Sequence, residues 1–130
     1  MKLYRTFFLI AFLFFMACGR KNKGTQESFQ ASLASGSELF AKYGCTTCHS
    51  RDGTEMYGPA LDGLFMKEVS VIRDGRIRIL KADEKYLSRA IGNPSYEKVL
   101  GYETRTMPVP DITKEDIELL VDYLRELDER

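Results

Sequence analysis

Two cysteines and the only histidine of the chain lie within five consecutive residues, in the sequence Cys-Thr-Thr-Cys-His from Cys45 to His49. A Cys-x-x-Cys-His sequence is typical of a c-type haem attachment site. The thiols of Cys45 and Cys48 can each add to a haem vinyl group, and the adjacent His49 imidazole can ligate the iron from the same side. The spacing therefore predicts one covalently bound haem c.

Three other kinds of site use a similar cysteine spacing, and the rest of the sequence argues against each. A structural zinc site normally takes four Cys or His ligands, but the only other cysteine is Cys18, near the start of the chain. A thioredoxin-like redox pair is expected beside a βαβ pattern, which the sequence lacks. A disulfide across so short a loop would stabilise little and would leave His49 without a role.

The iron of such a haem needs a sixth ligand opposite His49. No further histidine is present, and methionine is the favoured alternative in an electron carrier because it raises the reduction potential. Met56 and Met66 follow His49 closely in sequence, so either would need a rapid turn of the chain around the haem edge. Met107 lies in a Thr-Met-Pro-Val-Pro loop that two prolines stiffen. We therefore predict His49 and Met107 as the axial ligands, and Met56 and Met66 as packing or surface residues.

The first residues have the layout of a secretory signal. Lys2 and Arg5 precede an apolar run over residues 7–16, which is well short of the ~20 residues that a membrane-spanning helix needs. A small residue and then Cys18 follow, which resembles a bacterial lipobox with an acylated cysteine. We predict a lipoprotein signal peptide at residues 1–17 and lipidation of Cys18, the alternative being a signal cut elsewhere. The protein would then be exported and lipid-anchored to a bacterial membrane, in the periplasm or on the outer face of the cytoplasmic membrane.

A polar stretch follows the leader. Residues 18–35 are rich in Ser, Gln, Lys and Gly and show no sustained helical period, which predicts a flexible tether that carries the lipidated cysteine. Residues 36–130 are then expected to form one domain.

Within this domain the sequence predicts three helices and one hairpin. Capping boxes, apolar faces and terminating glycines place the helices after Ser35 and up to Gly44, over residues 83–91, and over residues 113–127. Residues 69–80 alternate around Asp74-Gly75, which indicates a β-hairpin with a type I′ turn. The predicted fold is mainly α, with three main helices around one haem and a short β-hairpin insertion.

The domain resembles the monohaem cytochrome c fold, and most closely the cytochrome c domain fused to subunit II of bacterial haem–copper oxidases. The motifs that carry the resemblance include Gly36-x-x-Leu39-Phe40, Gly44-Cys45-x-x-Cys48-His49, Gly58-Pro59-x-Leu61, Met107-Pro108 and Tyr123-Leu124. The resemblance implies that the Pro59 carbonyl accepts a hydrogen bond from the second nitrogen of His49. It also implies Met107 as the sixth ligand. Met66 stands where the family usually has Gly.

The function implied by the resemblance is one-electron transfer between a respiratory donor and an acceptor, with a haem–copper terminal oxidase as the expected acceptor. The resemblance is limited to the haem domain, because a binuclear copper centre needs several His and Cys ligands and the chain has one histidine. Two alternatives remain open: the haem c subunit of a dehydrogenase complex, and a haem protein that binds a diatomic gas or peroxide. We expect an electron-transfer protein with no catalytic residues, acting as a monomer.

Charge gives little further information about partners. The chain has 19 basic and 19 acidic residues, so no basic excess indicates nucleic-acid binding. The charges are unevenly spread, with nine basic and six acidic residues over residues 67–105, and three basic and eight acidic over residues 111–130. This distribution could steer docking, or it could be solvated surface.

Overall fold

The computed structural model describes residues 23–127 of the 130-residue chain. The predicted leader and lipidated Cys18 lie outside the described residues. The helices are α1, Lys23–Lys42; α2, Glu84–Gly92; and α3, Lys114–Leu127, with a short 3-10 helix at Cys45–Thr47. The strands are β1, Glu68–Arg73; β2, Arg76–Lys81; and β3, Lys98–Val99. Residues from Ala31 onward form one compact unit.

Helix α1 begins earlier than the sequence predicts. Ser35 is not an N-cap but lies inside the helix, where its hydroxyl donates a hydrogen bond to the carbonyl of Ala31 at 2.9 Å, the bond that a mid-helix serine makes to residue i−4. The expectation of irregular structure up to Ser35 is therefore wrong from Lys23 onward. This stretch contains good helix formers such as Gln, Glu, Ala and Leu, and extending a nucleated helix costs less than starting one. The role of the stretch as a linker stays a prediction.

The C-terminal half of α1 packs closely against α3. A Cβ atom on Gly36 would lie only 2.4 Å from Cβ of Tyr123, so the two helices can approach here only because Gly36 has no side chain. One turn later the rings of Phe40 and Tyr123 pack in a tilted arrangement, with their centroids 5.8 Å apart. The helix ends as predicted, at a left-handed Gly44 with φ of 69°.

The start of α3 confirms the predicted cap at Thr113, and the start of α2 shows that Asp83 is an N-cap rather than a residue of the first turn. The Asp83 carboxylate accepts a hydrogen bond from the Tyr86 amide at 2.8 Å, and the Thr113 hydroxyl accepts one from the Asp116 amide at 3.1 Å. The Asp116 carboxylate does not complete the capping box but accepts from the Tyr43 hydroxyl. This hydrogen bond is a second link between α3 and the end of α1.

The predicted hairpin is the larger part of a three-stranded sheet. Strands β1 and β2 pair antiparallel, and both turn residues, Asp74 and Gly75, have positive φ, as a type I′ turn requires. Strand β3 pairs antiparallel with the other edge of β1, which gives the order β2-β1-β3. Strand β3 could not be predicted from the sequence, because two residues cannot form an alternating pattern. The expected hairpin insertion is therefore corrected to a small sheet.

The core joins all three helices to this sheet. Its buried residues are Phe40, Val71, Ala82, Tyr86, Leu87, Leu120, Val121, Tyr123 and Leu124. Between residues 23 and 127, no helix combines the length and the apolar character that a membrane span needs.

Candidate haem-binding site

A largely apolar cavity of about 290 Å³ lies between the three helices and the sheet. Each helix contributes to its wall, and so do strands β1 and β3 and the loops that follow the 3-10 helix and precede α3. Its apolar lining includes Phe40, Leu61, Leu64, Val69, Leu87, Ile91, Val99, Leu120 and Leu124. A largely apolar ligand is the kind that such a wall suits.

The structure brings the predicted attachment residues to this cavity. Cys45, Cys48 and His49 all line it. The left-handed turn at Gly44 leads into the 3-10 helix, whose end is closed by hydrogen bonds from the amides of Cys48 and His49 to the Cys45 carbonyl, at 3.2 and 2.9 Å. Both cysteines are free and partly buried, and burial raises the pKa of the Cys45 thiol. Two thiols and one imidazole are therefore held within a single turn of the chain.

The loop that follows fixes the orientation of His49. Its Nδ1 atom lies 2.8 Å from the Pro59 carbonyl oxygen, and because a carbonyl can only accept, Nδ1 must carry the hydrogen. A neutral imidazole in this tautomer keeps a lone pair on Nε2, which is the form that ligates a metal. A Cβ atom on Gly58 would lie 2.4 Å from Cε1 of His49, so the loop can lie against the ring only with glycine there. The contact with Pro59 is the one that the resemblance implies.

The structure separates the three methionines of residues 23–127. Met107 lines the same cavity as His49, whereas neither Met56 nor Met66 does. Met56 lines a second depression, which His49 and Ser50 also border, and Met66 is 49% exposed. Of the three candidates for the sixth ligand, only Met107 lines the apolar cavity that His49 shares with Cys45 and Cys48.

Arg105, which was not predicted as a site residue, connects the loop after His49 to the segment that carries Met107. Its Nη1 atom donates to the carbonyls of Met56 and Tyr57, at 2.8 and 2.7 Å. Its guanidinium carbon lies 4.7 Å from the ring centroid of Tyr102 and 5.7 Å from that of Tyr57. A single arginine in a loop carries no pattern, and its partners are 48 and 49 positions away, so no local signal in the sequence could have found it.

A buried carboxylate on the cavity wall was also missed. Glu97 lines the cavity, and its side chain is only 3% exposed. In the sequence it lies between Tyr96 and Lys98 in a short polar stretch, which is typical of surface residues.

The comparison with protein families agrees with this geometry. The family model described as Cytochrome c matches residues 33–128, a range that includes every cavity-lining residue named above. No curated protein sequence matches the chain.

Proposed function

Because this chain belongs to the cytochrome c family, we propose that it is a membrane-tethered one-electron carrier that passes electrons within a respiratory chain to a haem–copper terminal oxidase. Its cofactor is one covalently bound haem c with its iron, as in the family. When bound, this group supplies the reversible one-electron couple of the iron. The observation that carries the finer proposal is that His49 and Met107 line one apolar cavity.

The residues of the cavity fit a haem c. The two cysteines are free, and both line the cavity beside the histidine. Gly58 lies where any side chain would displace the imidazole, and Pro59 accepts its Nδ1 hydrogen. The largely apolar wall suits an apolar macrocycle. Cys45 and Cys48 would form the thioether bonds.

The proposed axial ligands are His49 and Met107. The chain holds them from two loops, and Arg105 and Tyr57 join those loops: Arg105 bonds to the carbonyls of Met56 and Tyr57, and the Tyr57 hydroxyl accepts from the Thr106 amide at 3.2 Å. A protein ligand at the sixth position closes the iron to small molecules. This arrangement supports electron transfer over the binding of a gas or peroxide.

The choice of partner can be tested by rapid mixing. We expect the reduced holoprotein to be oxidised quickly by a purified haem–copper oxidase, with a rate that falls as the salt concentration rises if charge steers docking. Fast reduction by a purified dehydrogenase, without oxidation by any terminal oxidase, would favour the alternative of a dehydrogenase subunit. A high-spin holoprotein that binds carbon monoxide readily would overturn electron transfer in favour of gas binding.

Export and lipid anchoring belong to the same proposal. They are supported by the basic and apolar leader and by Cys18 at a lipobox-like position. A lipid at Cys18 would keep the domain close to a membrane-embedded oxidase.

A further inference from the structure

Glu97 places a negative charge at the wall of the haem cavity. Its side chain is 3% exposed, so the carboxylate is almost completely removed from solvent. Burying a charge is costly unless it is paired and hydrogen-bonded. A buried charge of this kind is stable only where neighbouring groups stabilise it.

Two arginines from different elements compensate this charge. Arg89 of α2 donates from Nε to Oε1 of Glu97 at 3.1 Å and also donates from its terminal nitrogen to the same oxygen. Arg73 of β1 places Nη1 3.8 Å from Oε2. The guanidinium carbons of both arginines lie over the ring of Tyr96, at 5.0 and 5.1 Å, and Arg73 donates to the Tyr96 hydroxyl at 2.9 Å. The carboxylate is therefore fixed in position by α2 and the sheet together.

The compensation of Glu97 is incomplete. Oε2 is buried and has no hydrogen-bond partner among the described residues. The arginine side chains are 28% and 24% exposed, so water screens their charges more than it screens that of Glu97. The charge of Glu97 also acts on a second residue of the cavity wall: burial raises the pKa of Tyr86, and Glu97 raises it further, whereas Arg89 lowers it.

We propose that Glu97 lowers the reduction potential of the bound haem by stabilising its oxidised form. The couple transfers one electron, so the oxidised cofactor carries one more positive charge than the reduced one. A fixed negative charge in a weakly polar environment favours the more positive state. The proposal rests on the haem c cofactor but not on the identity of the electron donor or acceptor.

The main test is the reduction potential of the Glu97→Gln holoprotein, which removes the charge and keeps the size of the side chain. We expect the equilibrium ratio of reduced to oxidised protein, at a fixed applied potential, to rise at least threefold. This corresponds to an increase of about 30 mV, since a tenfold change is 59 mV for one electron. Glu97→Asp keeps the charge and should remain close to the unaltered protein. Glu115→Gln, at an exposed position of α3, is the matched control and should leave the potential unchanged.

A second variant separates charge from packing. Arg89→Gln removes a positive charge that partly neutralises Glu97, so we expect the potential to fall. If Glu97 only held the cavity together, both variants would admit water and shift the potential in the same direction. Shifts of the same sign, or a Glu97→Gln potential equal to that of the Glu115→Gln control, would overturn the proposal. If Glu97→Gln does not retain haem, the sign of the Arg89→Gln shift decides alone.

Failure of this proposal can be told apart from failure of the proposed function. Visible and near-infrared spectra of the unaltered holoprotein report whether the iron is low-spin with a sulfur ligand, which concerns the electron carrier itself. The potentials are then compared only among variants that keep the spectrum of the unaltered protein.

Discussion

The hydrogen bond from His49 to Pro59 determines what this histidine can do. With its hydrogen on Nδ1, the ring has its lone pair on Nε2, and Gly58 packs against the ring so closely that the imidazole has little freedom to turn. The cavity also contains Met107, which gives it one nitrogen and one thioether donor. His49 and Met107 are therefore the two side chains proposed to ligate the iron.

The identity of the sixth ligand can be tested with Met107→Ala. The unaltered oxidised protein should be low-spin and should show the weak near-infrared band of sulfur-to-iron charge transfer. We expect the variant to lose this band, to bind carbon monoxide when reduced, and to have a lower reduction potential, because a thioether favours the ferrous state. The shift should exceed about 59 mV, equal to a tenfold change in the redox equilibrium.

Met56→Ala and Met66→Ala are the controls for this experiment, because neither side chain lines the cavity. Both variants should keep the band and the potential of the unaltered protein. If the band survives in Met107→Ala but disappears in one of these two, the proposed ligand is wrong.

Met66 is a position where the chain is strained. Its φ is 61°, in the left-handed region, which costs a residue with a side chain about 1–2 kcal/mol. Glycine has no such cost but loses roughly 0.5–1 kcal/mol more entropy on folding. We therefore expect Met66→Gly to raise the free energy of unfolding by about 0.5–1 kcal/mol, measured by denaturant titration. Met56, where φ is not positive, is the control, and Met56→Gly should lower it. A destabilised Met66→Gly would mean that the partly exposed side chain contributes more through packing than its backbone costs.

The helix starts and the hairpin could be predicted from the sequence, because each depends on residues that are close together in the chain. The starts of α2 and α3 follow from Asp83 and Thr113, whose side chains bond to amides three residues ahead, and the hairpin follows from its two turn residues. The capping-box pattern at Ser35 predicted a helix start that the structure does not have. The helix begins at Lys23 and continues through Ser35, because extending a helix costs less than starting one. The short strand β3 exists through pairing with β1 and has no pattern of its own.

Arg105 links the loop after His49 to the segment that carries Met107. Arg105→Gln should remove both hydrogen bonds to the loop after His49 and the stacking on Tyr57 and Tyr102. Hydrogen bonds from a charged donor contribute about 1.5–3 kcal/mol, so we expect a loss of stability of that order. We also expect faster binding of carbon monoxide to the reduced protein, since the segment that carries Met107 is held less firmly.

Arg76 provides the matched control for this variant, because it is an exposed arginine at the start of β2 and belongs to neither loop. Arg76→Gln should leave carbon monoxide binding unchanged. Equal binding rates for Arg105→Gln and Arg76→Gln would show that the hold on Met107 comes from elsewhere, such as its flanking prolines.

For the whole molecule, the sequence could predict the chemistry of the site more completely than its shape. Two thiols and a histidine at fixed spacing are required by the covalent chemistry of haem c, so they can be found without a fold. The cavity is built by residues as distant in sequence as Phe40, Val69 and Leu124, and no local pattern places them together. Met107 was predicted from the lack of a second histidine and from its proline-stiffened loop, whereas only the resemblance linked Pro59 to His49 in advance. The cluster of Arg73, Arg89, Tyr96 and Glu97 joins β1, α2 and the residues just before β3, and no sequence motif predicts it.

The location of the protein is a property of the whole chain that one residue should control. Lipid at Cys18 is the anchor that the leader predicts. A single acyl chain binds a membrane only weakly, and stable anchoring needs a second chain or further contacts. Without its lipid the chain would lose the predicted anchor. Cys18→Ser should therefore move the exported protein from the membrane fraction to the soluble fraction. The amount of covalently bound haem per protein, measured in both fractions, should equal that of the unaltered protein, because Cys45 and Cys48 are retained. An exported Cys18→Ser protein that remains tightly bound to membranes would contradict lipid anchoring and would indicate that a partner or another segment holds it there.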